Sequence, residues 1–144
     1  MKIALASDHG AFDLKEKIKE YLLKNEYTVE DFGTSSTESM DYPDTAIPAA
    51  TAVAEGKFER GIILCGSGQG MTMVSNKIPG IRAALCNDLY AAKMSRLHND
   101  ANVLTMGGRV VGIDLALDIV DTWLTTEYEG GRHQRRIDKM MNLD

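Results

Sequence analysis

Cys65 stands where the apolar run Gly61-Ile62-Ile63-Leu64 meets a glycine-rich stretch, Gly66-Ser67-Gly68-Gln69-Gly70. A thiol is a base and a nucleophile once ionised, and closely spaced glycines let backbone amides turn inward as an anion-binding nest. The pair suits a reaction that removes a proton and must hold the resulting negative charge on oxygen. The plainer reading is a structural cysteine before a tight turn, because free cysteine packs as a small hydrophobe. From these residues alone both readings stand. Two familiar phosphate motifs are excluded: G-x-G-x-x-G would need glycine where Met71 stands, and the P-loop Gly-Lys-Ser/Thr is missing.

Other polar residues stand at turns. Asp8 and His9 follow a buried run ending at Ser7, His98 and Asn99 follow a helical stretch, and Arg109 follows Gly107-Gly108. Arg132 and Arg136 share a helix face at i, i+4 within a basic cluster that could hold an anion. Each has an ordinary alternative. Asp8 can cap a helix, His9 and His98 can be turn residues bonded to backbone, and the arginine pair can be a solvated surface. The eight methionines read as core and gap filling.

The elements that would position these residues alternate strand and helix. Lys2 to Ser7 reads as a strand, and Leu14, Ile18, Tyr21 and Leu22 follow at helical spacing up to Asn25. Tyr27 to Asp31 is a short strand, Gly33 to Asp41 a Ser/Thr-rich loop, and Pro43 the first turn of a helix. Pro48 predicts a kink or a later start there, since an interior proline costs about 3 kcal/mol. Ile62 to Leu64 is continuously apolar, as in a central parallel strand covered on both faces. A helix starts near Gly70 and ends at Pro79-Gly80. Strands at Ile81 to Leu85 and Ala101 to Met106 flank a helix capped by Asp88 and running through Leu97. Ile113, Leu117, Val120 and Leu124 mark the face of a further helix, which Gly130-Gly131 separates from a last one. This order predicts an α/β fold, a Rossmann-like three-layer sandwich with a five-stranded parallel sheet, in one domain over residues 1–144. Asp8, His9, Cys65 and Arg109 then fall at or beyond strand carboxyl ends, where open α/β sheets bind ligands. The expectation is that both histidines and the arginine pair converge on the same crevice.

Composition bounds the function. With 44% hydrophobic and 26% charged residues over 144 positions, the chain can bury a core without disulfides or metal. A net charge of −5 disfavours nucleic acid as a partner. No apolar run is long enough to span a membrane, and Met1-Lys2-Ile3 leads straight into a strand, so the expected location is the cytoplasm. Cys65 and Cys86 lack CxxC spacing, which argues for reduced thiols and against a zinc site. No metal or cofactor is needed for the chemistry.

Asp8-His9-Gly10, Asp41-Tyr42-Pro43, Cys65-Gly66-Ser67-Gly68-Gln69-Gly70, Asn76-Lys77, Gly80-Ile81-Arg82, His98-Asn99-Asp100, Gly107-Gly108-Arg109-Val110-Val111-Gly112 and Tyr128-Glu129-Gly130-Gly131-Arg132-His133 occur in that order. Together they resemble type B ribose-5-phosphate isomerase, a family that includes galactose-6-phosphate isomerase subunits and enzymes acting on allose 6-phosphate. Ser67 departs from the usual threonine, and Gln69 from the usual aliphatic residue. The resemblance implies an aldose–ketose isomerase of the pentose phosphate pathway, acting through a cis-enediolate on ribose 5-phosphate or a related sugar phosphate. It implies that Cys65 is the base, its thiolate favoured by the helix N-terminus and amide donors. The amides from Gly66 to Gly70, Gly68 and Gln69 included, become the anion hole, and Ser67 supplies a hydroxyl. His98 opens the sugar ring, Asp8 and Asn99 hold sugar hydroxyls, and His9, Arg109, Arg132 and Arg136 clamp the phosphate. Homodimers or tetramers with shared sites are implied as well. A phosphate-binding module without turnover is the alternative of a different class; it would need the amides and arginines but not Cys65.

Overall fold

The computed structural model describes residues 1–144. Five parallel strands, β1 (Lys2–Ser7), β2 (Thr28–Asp31), β3 (Arg60–Cys65), β4 (Ala83–Leu85) and β5 (Val103–Gly107), form one sheet in the order β2-β1-β3-β5-β4. The helices are α1 (Phe12–Lys24), α2 (Pro43–Ala54), α3 (Gln69–Ser75), α4 (Leu89–Leu97), α5 (Ile113–Thr125) and α6 (Arg132–Met141). A short 3-10 turn, His9–Ala11, links β1 to α1. No helix is long and apolar enough to cross a membrane.

The topology follows from one handedness rule. Going from β1 to β2 and from β4 to β5 the chain steps one way along the sheet; from β2 to β3 and from β3 to β4 it steps the other way. With a single crossover hand, the helices of the two kinds of step must lie on opposite faces. They do. α1 and α4 join α5 over Ile3, Leu5, Ile62, Leu64, Leu104 and Met106, with Trp123 fully buried among them. α2 and α3 cover Ala4, Ala6, Ile63, Cys65 and Val103 on the other face. Central β3 is thus buried on both sides, as its unbroken apolar run predicts, and the Cys65 side chain belongs to the α2/α3 face.

Several element bounds differ from expectation, each for a local reason. α2 runs through Pro48 rather than starting after it. Pro48 and Asp44 are both exposed, so the carbonyl that the proline leaves unbonded meets water, while Ala46, Ala49, Ala50 and Val53 face the core. β4 starts at Ala83 rather than Ile81, because the Arg82 amide donates to the Asn102 side chain (2.8 Å) instead of a strand. α3 ends before Pro79-Gly80: Asn76 caps it and pairs its side-chain amide with both backbone groups of Ala83. α5 buries Ala116, Ile119, Val120, Trp123 and Leu124, while Ile113 at its start is exposed, so the buried stripe lies partly off the face expected from sequence.

Candidate active site

β3 is flanked by β1 and β5. The chain leaving β3 turns into α3 on one face, whereas the chains leaving β1 and β5 turn into α1 and α5 on the other. The loops therefore part around the carboxyl end of β3, the switch-point position where parallel sheets leave a crevice. A crevice of about 340 Å³ opens there, lined by Asp8, Tyr42, Cys65, Gly66, Ser67, Gly70, Arg109 and Val110. Cys65 forms its floor, 5% exposed.

The loops interlock through their backbones. The Gly108 amide donates to the Cys65 carbonyl (2.8 Å) and the Arg109 amide to the Gly66 carbonyl (2.9 Å). The Asp8 amide donates to the Leu64 carbonyl at 3.1 Å. Glycine is required where they press together. A Cβ on Gly107 would lie 2.8 Å from the Ser67 carbonyl, and one on Gly10 would lie 3.2 Å from the Gly66 backbone. Gly68 takes φ +84°, and a Cβ there would collide with Leu85.

This packing leaves the loop amides free. Gly66, Ser67, Gly68 and Gly70 donate no backbone hydrogen bond; only the Gln69 amide is engaged, by Ser67 Oγ at 3.2 Å. Accepting that bond leaves the Ser67 hydroxyl proton free to donate into the crevice. A run of unpaired amides beside a thiol can hold an oxyanion, and α3, at seven residues, adds its amino end to them. The Arg109 guanidinium lies over the loop, its Nη1 3.2 Å from where a Gly66 Cβ would stand. The second thiol lies away from this crevice. Burial pushes the Cys86 thiol up to about 11, against a weaker opposing effect of the Ser95 hydroxyl, so it stays protonated.

Asp8 fills its ordinary role and still faces the crevice, accepting from the Gly10 amide (2.9 Å) at the start of the 3-10 turn. His9 is half-buried at the same sheet edge, its Nδ1 accepting from the Met40 amide (3.2 Å), which anchors the 33–41 loop. The loop is also fixed at its start, where Ser7 and the backbone of Gly33 and Thr34 exchange bonds of 2.7 and 2.8 Å. Tyr42 has no role legible in the sequence, although Asp41-Tyr42-Pro43 carries part of the resemblance. Its ring lies where a Gly70 Cβ would stand and walls the crevice.

The expected convergence on one crevice does not occur within a chain. In a parallel sheet α4 runs back against the strands, so His98 and Asn99 at its end lie at the amino edge. Arg82, just before β4, marks that edge, its guanidinium donating to the carbonyls of Asn99 (3.1 Å) and Asp100 (2.7 Å). The Glu129 amide donates to the Leu97 carbonyl (3.0 Å), which brings the start of α6 there too. Arg132 and Arg136, both exposed, project from that helix. None of His98, Asn99, Arg132 and Arg136 lines the Cys65 crevice.

The chain matches the Ribose/Galactose Isomerase family over residues 3–140. It belongs to that family. Ribose-5-phosphate isomerase B of Escherichia coli is 48% identical, the alignment covering 99% of this chain and 96% of that one. A D-erythrulose-4-phosphate isomerase of Pectobacterium atrosepticum is 44% identical over 97% of this chain and 93% of its own. The solved ribose-5-phosphate isomerase B of Clostridium thermocellum superposes with a TM-score of 0.98 at 55% identity, covering 99% and 97% of the two chains. The three-layer α/β fold with an all-parallel five-stranded sheet is that of these isomerases.

Proposed function

We propose that this protein is an aldose–ketose isomerase interconverting ribose 5-phosphate and ribulose 5-phosphate through a cis-enediolate. The observation that carries the reading is Cys65 on the floor of a crevice whose wall is a run of unpaired amides, within a chain of this family. Cys65 takes the proton from C2 of the open aldose and returns it at C1. The amides of Gly66, Gly68, Gln69 and Gly70 with the Ser67 hydroxyl hold the negative oxygens, which are more negative in the enediolate than in either sugar, so the contacts favour the transition state. Gln69 joins them when a ligand oxygen replaces Ser67 as its acceptor. Asp8 binds a sugar hydroxyl, and Arg109 and His9 bind phosphate from the same chain.

His98, Asn99, Arg132 and Arg136 act from a second copy. β5 spans five residues, about 13–17 Å, and separates them from Cys65 in one chain. A homodimer that sets the amino edge of one subunit against the crevice of the other completes the site. Exposed Tyr42, Val110, Leu89 and Tyr90 give such a contact apolar surface. His98 then opens the furanose, Asn99 holds a hydroxyl, and the arginine pair grips the phosphate dianion. We take residues 1–144 as one catalytic domain, and two free thiols suit a cytoplasmic setting.

A second reading keeps the reaction and changes the sugar. A relative at 44% identity is named for a four-carbon ketose phosphate, and Ser67 lines the crevice beside Cys65, with Gln69 in the same loop. Coupled assays on ribose 5-phosphate, erythrulose 4-phosphate, allose 6-phosphate and galactose 6-phosphate decide between them. The highest kcat/KM on ribose 5-phosphate is expected; preference for another sugar would replace the substrate, and no turnover of any would remove the enzyme reading.

A further inference from the structure

At the amino edge, away from Cys65, two imidazoles and a carboxylate meet. The rings of His98 and His133 stack with centroids 4.3 Å apart and planes 17° from parallel. Each Nε2 is 3.6 Å from the same oxygen, Glu129 Oε2. Neither ring nitrogen pair makes a hydrogen bond, although the His133 side chain is only 7% exposed. The His133 ring is buried while its nitrogens keep some contact with solvent, and the carboxylate stands too far away for a hydrogen bond, which leaves a gap between three donors. The three ligand atoms lie within 4.8 Å of one another.

We infer that His98, Glu129 and His133 form a site for a divalent transition ion of the zinc class. The donor set is right: imidazole nitrogen and carboxylate oxygen are ordinary zinc ligands, and three protein ligands leave a fourth position open. The distances fit as well. Zinc with bonds of about 2.0–2.2 Å holds neighbouring ligand atoms about 3.3 Å apart in a tetrahedron, a few tenths of an ångström inside the separations from Glu129. The ion draws the two nitrogens together and tilts the rings out of their stack. His98 makes that move, being 41% exposed at the end of α4, while buried His133 stays fixed.

The site is built by the backbone before any ion arrives. The Glu129 amide is tied to the Leu97 carbonyl at 3.0 Å, which sets its side chain beside His98 one residue on. Gly130 and Gly131, with φ of +73° and +62°, then turn the chain so that His133 enters α6 facing the same point. The ligands come from positions 98, 129 and 133, so no short metal motif announces them in sequence. The expectation against a zinc site rested on cysteine spacing, and none of these three ligands is a cysteine.

The functional consequence rests on the proposed role of His98. An ion on its Nε2 occupies the lone pair that acid–base work would use, so the metal acts as an inhibitor and not as a cofactor. The test is titration of metal-stripped, intact protein with Zn²⁺ by calorimetry and with Co²⁺ by visible absorption. One ion per chain is expected. Affinity should fall at least about tenfold in Glu129→Gln and in His133→Gln, since losing a ligand should cost no less than losing a supporting group. Cys65→Ala should bind as the parent does. Equal affinity in Glu129→Gln and His133→Gln, loss in Cys65→Ala instead, or no saturable binding would each overturn the site. Glu129→Gln leaves an exposed position nearly isosteric, so misfolding does not cloud its result. Zn²⁺ should also slow aldose turnover in the parent and much less in Glu129→Gln. Binding without inhibition upholds the metal site and removes His98 from the reaction, which separates the two readings.

Discussion

Cys65 closes the carboxyl end of β3, and His98 caps α4 at the amino edge of the same sheet, so within one chain the two are held a strand length apart. Arg136 shares the His98 edge, one turn into α6. Subunit mixing tests whether the two edges meet across a dimer. Cys65→Ala and Arg136→Ala proteins, each impaired, should regain activity when their subunits exchange, because one site of each mixed dimer draws Cys65 and Arg136 from the unaltered positions of different chains. Arg136→Ala alone should chiefly raise KM, since phosphate is bound alike in ground and transition states. No regain in verified mixed dimers would mean that both residues serve one subunit's site.

Cys65→Ala should lower kcat by at least about 10²–10⁴-fold, the usual contribution of a positioned base. The fold should survive, because a small buried side chain replaces another and the loop is held through the Cys65 carbonyl, not its sulfur. Alkylation should inactivate the parent, and substrate should protect it. Near-normal turnover of Cys65→Ala would place the base elsewhere.

The sheet and the Cys65 crevice were legible because local pattern decides them. A continuous apolar run such as Ile62-Ile63-Leu64 reads as a covered strand, and glycines packed against neighbouring loops leave a sequence trace at 66, 68 and 70. The placement of His98 was not legible as chemistry within one crevice. It depends on α4 running antiparallel to the strands, a consequence of topology that no short motif states. The later start allowed for at Pro48 does not occur for a simpler reason: helix propensity counts the lost bond, whereas the structure lets water take the freed carbonyl.

Gly68→Ala should be costly although nothing catalytic is removed. It forces a side chain into φ +84° and against Leu85, with the Met106 carbonyl carbon 3.0 Å away. Left-handed backbone and overpacking together should cost about 2–4 kcal/mol, lowering Tm by about 5–15 °C. Thermal unfolding checks it, and an unchanged Tm would mean the loop relaxes freely.

Asp31 should govern part of the acid stability. Burial pushes its carboxyl up, but hydrogen bonds from Lys15, the Gly33 amide and Lys19 outweigh burial and hold it below its ordinary value of 3.8. A carboxyl lowered in the folded state stabilises above 3.8, and that contribution disappears as pH falls through the folded value. Asp31→Asn should therefore melt below the parent at neutral pH, with the two curves converging as pH drops past about 4. A difference in Tm that stays constant from neutral to acid pH would show that the contact is not electrostatic.

The direction of reaction separates His98 from Cys65. Ribose 5-phosphate closes a ring through its C4 oxygen, whereas ribulose 5-phosphate has its C5 oxygen blocked by phosphate and stays open. Only the aldose needs its ring opened. If His98 from the facing subunit moves the proton for that step, His98→Asn should slow initial aldose turnover toward the rate of spontaneous opening. Ketose turnover should suffer less, because the product can leave as the open chain and close in solution. The equilibrium constant cannot change, so the asymmetry appears in initial rates, before open and closed aldose re-equilibrate. Equal losses in both directions, measured with open-chain aldose resolved from the ring forms, would assign His98 to substrate binding or to proton transfer at carbon.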